Sequence, residues 1–367
     1  MEITILCKVV DNFGDIGVAW RMSRQLRMQN PDCKLNLIVD DMHSFSKIDN
    51  RINPELKLQS VNDIQIYNWN DEQLCYEEFS YNDGEKLSVI LELFQCGRPN
   101  WMEKILFEDK LERTVNIIMI DYLTAEQYAE DFHCLKSLTR SAKVQKVNFM
   151  PGFTSKTGGL IIDDNWKSLQ NRKSDGPVMV FTYERDWTPL TIALKKSGKK
   201  VFVAQGRGLE SFVKAWGENP DNHLSVLDYL NQQDWDSLMK NSSVLFIRGE
   251  ESMSRACLSG IPFVWHAYPQ SDEYQMVKVN ALLDRMKIHF TPEDFDIVRK
   301  VWLDFNNPEK EVDPVMMEHN IESFLTNSEK LVPGFRDFAL DLRKNHDLCT
   351  NLMTFIKKIT IMEQINL

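Results

Sequence analysis

The sequence predicts an α/β protein built from two Rossmann-like, doubly wound domains, each a parallel sheet covered by helices. The chain has 367 residues, which exceeds the ~250–300 residues that one hydrophobic core usually serves. Short apolar, β-rich runs alternate with longer amphipathic segments, as in repeated βα units. The alternation stops in a polar stretch at 151–176 and then starts again. We interpret that stretch as the linker between the two domains and place their boundary at 172/173.

In the first half, several predicted strands are apolar on both faces, as expected for strands buried between two helix layers. These strands are Ile3–Val10, Leu35–Val39, Asp63–Tyr67, Val89–Phe94 and Val115–Ile120. Helical patterns begin near Ile16 and near Thr124. This alternation predicts a parallel sheet.

The second half repeats the pattern and then becomes almost wholly helical after Pro292. Its predicted strands are Val178–Tyr183, Lys200–Ala204, Leu224–Leu227, Val244–Ile247 and Pro262–Trp265. Its predicted helices are Thr188–Ser197, Leu209–Trp216, Asp234–Lys240, Ser252–Ser259 and Gln270–Met286, and the last helix of the chain is Asn351–Glu363. A second parallel sheet is therefore expected.

The charge balance argues against general nucleic-acid binding. The chain carries 43 Lys and Arg against 54 Asp and Glu, a formal charge of −11, and counterion release needs a basic face. Eight acids and one lysine lie within 63–92. That stretch is either a solvated face or a surface that steers a cationic partner.

The cysteines and the hydropathy pattern predict a cytoplasmic protein with reduced thiols. The seven cysteines are scattered, odd in number and form no C-x-x-C pair, which disfavours disulfides and a zinc knuckle. No apolar run reaches the ~18 residues needed to span a bilayer, and residues 1–10 read as a strand rather than a signal peptide. We therefore expect no membrane partner.

The loop after the first strand, VDNFGDIGVAWR at 10–21, carries the first candidate site. Two glycines permit a tight turn there, at the strand end where open parallel sheets bind ligands. A dinucleotide-binding loop would read G-x-G-x-x-G. This loop instead carries Asp11 and Asp15, whose charges repel phosphate, so we expect it to receive a cation or a proton. The alternative is that Asp15 is a helix N-cap and Asp11 a turn former.

The segment VLFIRGEESMSRA at 244–256 is the second candidate. A buried strand again leads through a glycine into a helix, where free amides and the Ser252 hydroxyl can cradle phosphate next to Arg248. Glu250 and Glu251 can bind sugar hydroxyls or complement the helix dipole. An ordinary helix with acids in its first turn is the alternative.

Aromatic residues at strand ends form the third candidate set. The segment PFVWHAYPQ at 262–270 ends a strand, Tyr183 ends the first strand of the same domain, and Tyr229 precedes a turn. A nucleobase needs an aromatic platform and edge contacts, which Tyr229 and Gln232 can provide. Each aromatic residue alone is more commonly core filling, and His266 more commonly a structural histidine.

Together these segments resemble the bacterial protein-arginine rhamnosyltransferases that modify elongation factor P, the EarP family. The resemblance runs over most of the chain in four segments: DNFGDIGVAWR (11–21), FTYE (181–184), RGEES (248–252) and PFVWHAYPQ (262–270). Glu251 stands where the family pattern has Asp, and Ala267 where it has a bulkier apolar residue.

The resemblance implies an inverting glycosyltransferase of the GT-B class, with two Rossmann-like domains facing across a cleft. The donor would be dTDP-β-L-rhamnose and the acceptor one arginine of elongation factor P. Residues 1–172 would bind the acceptor and 173–349 the nucleotide sugar, and the C-terminal helix at 350–367 would cross back to the first domain. No nucleic acid is implied as a direct partner.

The implied reaction needs a base, because an arginine side chain stays protonated throughout the physiological pH range. We expect Asp15 to be the general base and Asp11 to orient the guanidinium, with Glu250 supporting them. The other expected donor- and substrate-binding residues are Asn12, Phe13, Gly14, Tyr183, Tyr229, Gln232, Arg248, Gly249, Glu251, Ser252, Tyr268 and Gln270. We expect no metal and no other cofactor, since Asp163 and Asp164 lie in the polar linker.

Three other functions stay open from the sequence. A GT-B enzyme with another sugar nucleotide or acceptor is the nearest. A nucleotide-dependent oxidoreductase or epimerase lacks support, because G-x-G-x-x-G is missing after the first strand. A non-catalytic partner of the translation machinery is the third.

Overall fold

The computed structural model describes residues 1–10, 13–80, 87–109, 111, 113–169, 173–218 and 222–365, with side chains up to 360. The chain forms two compact units. Unit 1 contains Met1–Leu123, Gln127–Asp163 and Asn345–Leu367, and unit 2 contains Thr124–Glu126 and Asp164–Lys344. The sequence placed the two main junctions at 172/173 and 349/350.

The described residues form strands β1 to β13 and helices α1 to α14. The strands are β1 Glu2–Cys7, β2 Lys34–Val39, β3 Leu58–Val61, β4 Ile64–Asn68, β5 Val89–Leu93, β6 Val115–Ile120, β7 Lys136–Ser137, β8 Val144–Asn148, β9 Val178–Val180, β10 Val201–Val203, β11 Leu224–Val226, β12 Val244–Arg248 and β13 Phe263–His266. The helices are α1 Gly14–Gln29, α2 Met42–Ile48, α3 Glu72–Ser80, α4 Asn100–Phe107, α5 Tyr128–Phe132, α6 Thr188–Ser197, α7 Leu209–Trp216, α8 Gln232–Asn241, α9 Glu250–Ser259, α10 Gln275–Met286, α11 Pro292–Asn306, α12 Pro314–Thr326, α13 Ser328–Arg343 and α14 Leu348–Ile365.

Unit 1 has a Rossmann-type sheet of eight strands in the order β3-β4-β2-β1-β5-β6-β8-β7. The six central strands are parallel, and β3 and β7 pair antiparallel at the two edges. In chain order the central strands run 3-2-1-4-5-6, so the strand order reverses between β1 and β5. In such sheets the ligand crevice opens at this reversal, outside the carboxyl ends of the strands.

Side chains of β1 alternate between two cores, because successive residues of a strand face opposite sides of the sheet. Ile3 and Ile5 pack on the side that holds α1, α2 and α14, whereas Leu6 packs on the side that holds α3 and α4. The apolar residues of α14, including Leu352 and Ile356, are buried in the first of these cores. The expectation that the C-terminal helix returns to the N-terminal domain is therefore confirmed.

Unit 2 has a parallel sheet of five strands in the order β11-β10-β9-β12-β13. In chain order this is 3-2-1-4-5, so the reversal lies between β9 and β12. All three residues of β9 are fully buried, as expected for a central strand covered by helices on both faces. The predicted two-sheet α/β architecture is confirmed.

The structure corrects the sequence prediction at several element ends. β1 ends at Cys7 rather than at Val10, because the amides of Val9 and Val10 donate to the Asp40 and Asp15 carboxylates instead of to a neighbouring strand. The helix expected near Thr124 begins at Tyr128. The short edge strand β7 and its neighbour β8 had no predicted counterpart.

Two further properties concern the cysteines and the membrane. All seven cysteines are free thiols. Among the helices that the structure describes, none combines the length and the apolar character that a membrane span requires.

Candidate active site

Several of the predicted site residues lie at the reversal point of one of the two sheets. In unit 1 the loop that enters α1 follows β1, and Phe94 follows β5. In unit 2, Phe181 follows β9 and Arg248 ends β12. These are the strand pairs between which the order of each sheet reverses, where doubly wound sheets bind ligands.

Asp15 is a buried carboxylate with both oxygens engaged in unit 1. Only 3% of the residue is exposed. Its Oδ2 accepts a hydrogen bond from the Val10 amide at 2.8 Å, and its Oδ1 accepts one from the Tyr122 hydroxyl at 3.1 Å. The Val9 amide donates in the same way to Asp40 Oδ1 at 2.8 Å. Two carboxylates thus fix the backbone at the start of the loop.

Asp15 is not the N-cap of α1, so that part of the alternative is wrong. The N-cap position is held by Phe13, which makes no side-chain capping bond, and the helix begins at Gly14. Asp15 lies in the first turn, where a negative charge also complements the helix dipole. The predicted residues Asp11 and Asn12 lie outside the described residues.

Tyr122 is the contact that the sequence analysis missed at this carboxylate. It follows β6, and its ring stacks on Phe94 with centroids 4.6 Å apart and planes at 20°. The sequence carried one signal for it, namely an aromatic residue two positions after the end of a predicted parallel strand.

Arg248 is held between two aromatic rings in unit 2. Its guanidinium carbon lies 4.4 Å from the Phe181 ring centroid and 4.5 Å from that of Tyr183, within the range of cation–π attraction. Tyr183 also meets the Tyr268 ring edge to face, at 5.3 Å. The structure therefore brings three predicted donor residues, Arg248, Tyr183 and Tyr268, into one cluster.

His266 contacts Tyr183, one member of this cluster. It pairs in register with Arg248 on the neighbouring strand, and its Nδ1 accepts the Tyr183 amide at 3.2 Å. Burial, followed by the positive charges of Arg185 and Arg248, lowers the pKa of His266 to about 3. The imidazole is therefore neutral at physiological pH, with its proton on Nε2.

The loop after β10 approaches the cluster closely, and this was also missed. A Cβ atom on Gly206 would lie 2.8 Å from Nη2 of Arg248 and 3.0 Å from the Phe181 ring. A Cβ atom on Gly208 would lie 2.4 Å from the Thr182 carbonyl oxygen. Between them, Arg207 lies 5.8 Å from the Tyr268 ring centroid. Two glycines separated by one residue were visible in the sequence as the signal.

The first turn of α9 carries the other residues predicted in the second candidate segment. Gly249 precedes it with φ of +77°, a conformation that favours glycine. Glu250 lies 3.6 Å from the Lys278 ammonium, and Glu251 lies 3.7 Å from Nε of the buried Arg255. Ser252 is 7% exposed. Both acids therefore have cationic partners on unit 2.

The remaining predicted residues lie at other positions on unit 2. Tyr229 is 62% exposed after β11, and Gln232 is buried at the start of α8. The backbone amide of Gln270 donates to Oε1 of Gln275. Because β11 and β12 are three strand spacings apart, roughly 14 Å, Tyr229 belongs to a different part of the strand-end surface from Arg248.

The acids of the polar linker have cationic partners instead of a metal-like arrangement. Asp163 accepts from Nη1 of the buried Arg21 at 2.5 Å, and Asp164 pairs with Lys167. Within the described ranges, no group of three or more His, Cys, Asp or Glu side chains has metal-binding geometry.

A family model described as "Elongation-Factor P (EF-P) rhamnosyltransferase EarP" matches residues 3–357. Curated relatives named protein-arginine rhamnosyltransferase come from several organisms. The Shewanella oneidensis protein is 29% identical, covering 96% of this chain and 97% of its own length. Those of Pseudomonas aeruginosa and Neisseria meningitidis serogroup B are 27% and 28% identical; they cover 82% and 83% of this chain and 86% and 84% of their own lengths.

Solved structures of similar fold include one from work on EarP-mediated arginine glycosylation of translation elongation factor EF-P. It has a TM-score of 0.60 at 18% identity and covers 97% of this chain and 99% of its own. A ugt transferase from Siraitia grosvenorii in complex with UDP has a TM-score of 0.54 at 10% identity, covering 98% and 99%. The fold is that of the GT-B glycosyltransferases.

Proposed function

Because this chain belongs to the EarP family of elongation-factor-P rhamnosyltransferases, we propose that it transfers L-rhamnose from dTDP-β-L-rhamnose to an arginine of elongation factor P. Family membership makes the chain a protein-arginine rhamnosyltransferase that acts on elongation factor P. The donor, the inversion and the roles of individual residues are our proposal.

One observation carries the proposal: the two sheets present opposite chemistry at their reversal points. Unit 1 presents the buried Asp15 carboxylate, and unit 2 presents the Arg248 guanidinium followed by the start of α9. A carboxylate suits a guanidinium acceptor, whereas a cation next to helix-start amides suits a diphosphate. Unit 1 is accordingly the acceptor domain and unit 2 the donor domain.

Asp15 is the general base in this proposal. An arginine nitrogen is a poor nucleophile while its lone pair is delocalised over a protonated guanidinium. A carboxylate held within hydrogen-bond reach accepts the Nη proton as the nitrogen attacks. Asp11 orients the other side of the guanidinium fork, and Phe13 and Gly14 shape the entry of α1.

The donor is bound by the residues at the strand ends of unit 2. Arg248, Ser252 and the amides that follow Gly249 bind the diphosphate and stabilise the charge that it gains on leaving. Tyr268 and Tyr183 line the sugar-diphosphate end, and Glu250 supports the orientation of donor and acceptor. The other contacts to the donor, including its nucleobase and ribose, are assigned to five further residues. These are Tyr229, Gln232, Glu251 and Gln270 in unit 2, and Asn12 in unit 1.

In the chemical step, the bond between the anomeric carbon of rhamnose and the diphosphate oxygen breaks, and both electrons leave with dTDP. A bond forms between that carbon and the arginine nitrogen on the opposite face, which inverts the centre. One proton passes from the nitrogen to Asp15 and then to solvent. The product guanidinium is a substituted arginine that keeps its positive charge, so atoms and charge balance without a metal or redox cofactor in the scheme.

The decisive experiment is Asp15→Asn, assayed by mass spectrometry of intact elongation factor P after incubation with dTDP-β-L-rhamnose. We expect loss of the deoxyhexose mass gain by at least about 100-fold in rate, because general base catalysis typically contributes that much. Asp41→Asn is the matched control. Asp41 caps α2 by accepting from the Ser44 amide, and asparagine preserves a cap. Near-wild-type transfer by Asp15→Asn contradicts the proposal.

A further inference from the structure

We propose that Tyr122 is a positioning residue for the general base, whose hydroxyl fixes the Asp15 carboxylate in its reactive orientation. This inference rests on the proposed role of Asp15. It adds a residue from a different strand to the acceptor site and assigns it a role distinct from substrate contact.

Hydrogen bonds on both oxygens fix the geometry of the Asp15 carboxylate. The Val10 amide donates to Oδ2 at 2.8 Å and the Tyr122 hydroxyl donates to Oδ1 at 3.1 Å. A donor on each oxygen defines both the plane and the tilt of the carboxylate. The Val10 amide is part of the loop itself, so a loop movement carries that donor with it. The Tyr122 donor comes from the end of β6 and anchors the carboxylate to the sheet.

The Tyr122 ring is itself held in place by its neighbours. It stacks on Phe94 at 4.6 Å, and the Tyr122 amide donates to Oδ1 of Asp121 at 2.8 Å. The other oxygen of Asp121 accepts from Gln95 at 2.8 Å. The segments that follow β5 and β6 are therefore joined by a stacked ring pair and a bridging carboxylate, so the hydroxyl reaches Asp15 from a fixed base.

Several titratable groups lie at the same end of the sheet as the Asp15 carboxylate. Among the described residues, the titratable or charged groups at this end of the sheet include Cys7 at the end of β1, Lys8 after it, Asp40 after β2, Cys96 after β5 and Asp121 after β6. Burial raises the pKa of the Cys7 thiol well above its ordinary value, and the Asp15 charge adds to that rise. Burial likewise raises the pKa of Cys96 to about 12. Both thiols are thus neutral at physiological pH and add no charge next to the carboxylate.

The test is Tyr122→Phe, which keeps the ring and removes the hydroxyl. We expect kcat for rhamnose transfer to fall about tenfold, as for the loss of one hydrogen bond to a charged group. The KM for elongation factor P should change by less than about twofold, since the hydroxyl acts on Asp15 rather than on the substrate. The ratio kcat/KM should therefore fall by nearly the same factor as kcat, about tenfold.

Tyr76→Phe is the matched control. Tyr76 lies on α3 of the same unit, and its hydroxyl donates to Oδ2 of Asp109 at 3.0 Å. The variant removes an equivalent tyrosine–aspartate hydrogen bond away from the β1 loop, so its kcat and KM should match wild type. A second variant, Phe94→Leu, leaves the hydroxyl but removes the stacking. It should give a smaller loss of kcat, again with little change in KM.

The outcomes separate this inference from the proposed function. If Asp15→Asn abolishes transfer while Tyr122→Phe keeps the wild-type kcat, the positioning role is overturned and the base assignment stands. If Asp15→Asn transfers rhamnose normally, the base assignment fails, whatever Tyr122→Phe does. A Tyr122→Phe variant whose KM for elongation factor P rises as much as its kcat falls also overturns the inference, because a general structural defect at the site would give that result.

Discussion

At the scale of single residues, Gly206 sets the space in which the Arg248 guanidinium lies. A Cβ atom there would stand 2.8 Å from Nη2 of Arg248, and the backbone φ of +155° is one that side-chain-bearing residues rarely adopt. We predict that Gly206→Ala displaces the guanidinium from its place next to Phe181. Calorimetric titration with dTDP should then show affinity at least about tenfold weaker, equivalent to about 1.4 kcal/mol.

Gly217→Ala is the control for backbone strain alone. Gly217 has φ of +66°, and a Cβ atom on its backbone would meet nothing within 4 Å among the described residues. Alanine there should lower stability by about 1 kcal/mol and leave dTDP affinity unchanged. Equal affinities for wild type, Gly206→Ala and Gly217→Ala would remove Arg248 from the diphosphate site.

His266 gives a prediction about pH. An unfolded histidine has a pKa near 6.5, whereas burial and two nearby arginines lower the pKa of folded His266 to about 3. Between these values the unfolded chain binds a proton that the folded protein does not. The contribution of neutral His266 to the free energy of unfolding is therefore fully present above about pH 6.5. It is lost as the pH falls below that value, by up to about 1.4 kcal/mol per pH unit.

We predict that His266→Gln has a smaller drop in thermal midpoint than wild type between about pH 7.5 and about pH 5. Glutamine does not titrate, and its side-chain oxygen can accept the Tyr183 amide. Some pH dependence will remain, because burial also lowers the pKa values of His133 and His289. An equal drop in both proteins would mean that His266 is protonated in the folded state.

The site residues differ in how readily the sequence predicts them, and the reason is chain distance. Asp15 was predicted because the strand, the turn and the carboxylate are contiguous in one loop. Its partner Tyr122 is 107 residues away, and only the strand order, with β5 beside β1 and β6 beside β5, brings the two together. Gly206 was missed for the same reason, since its function depends on a side chain from β12.

At the scale of secondary structure, buried parallel strands were predicted well because burial on both faces leaves an apolar run in the sequence. The two edge strands of unit 1 were missed, since β7 consists of two exposed polar residues and no residue of β3 is fully buried. Side-chain hydrogen bonds also decide where elements end. At the end of β9, for instance, the Tyr183 amide bonds to His266 instead of to a neighbouring strand.

The C-terminal helix α14 supplies a prediction at this scale. Leu352 is fully buried in the core that α14 shares with α1 and β1. Leu352→Ala should lower the free energy of unfolding by about 2–5 kcal/mol, since it leaves a cavity in a close-packed core. Urea denaturation followed by circular dichroism measures this loss.

Thr354→Ala is the control on the same helix. Thr354 is exposed, and its hydroxyl bonds only to the Thr350 carbonyl one turn earlier among its described contacts, so its replacement should change stability by less than about 0.5 kcal/mol. If both variants unfold at the wild-type urea concentration, the packing of α14 against the first core contributes no stability.

At the scale of the whole molecule, the two units repeat one architecture with different chemistry. Each has a parallel sheet whose order reverses beside its first strand, and each places its polar residues at that reversal. In the proposed function, Arg248 in unit 2 binds phosphate, whereas the Asp15 carboxylate in unit 1 would repel it. The proposed roles, acceptor binding by unit 1 and donor binding by unit 2, therefore follow from the sign of the charge at equivalent positions of two similar sheets.

This division predicts how nucleotides stabilise the protein. A ligand that binds only the folded state at 100 times its Kd stabilises it by about 2.7 kcal/mol. We expect dTDP to raise the thermal midpoint more than UDP, because a missing methyl group in an apolar pocket costs about 1–3 kcal/mol. GDP, with its larger base, should raise it least. Equal shifts with all three nucleotides would contradict the thymidine donor.

Variants then assign that stabilisation to one unit. Arg248→Ala should lose most of the shift caused by dTDP, whereas Arg299→Ala, an exposed arginine on α11, should keep it. Asp15→Asn should also keep the full rise in thermal midpoint caused by dTDP, since the Asp15 carboxylate is proposed to contact the acceptor rather than the nucleotide. If Asp15→Asn lost the dTDP shift along with transfer activity, the carboxylate would belong to the donor site, and the assignment of acceptor to unit 1 and donor to unit 2 would be wrong.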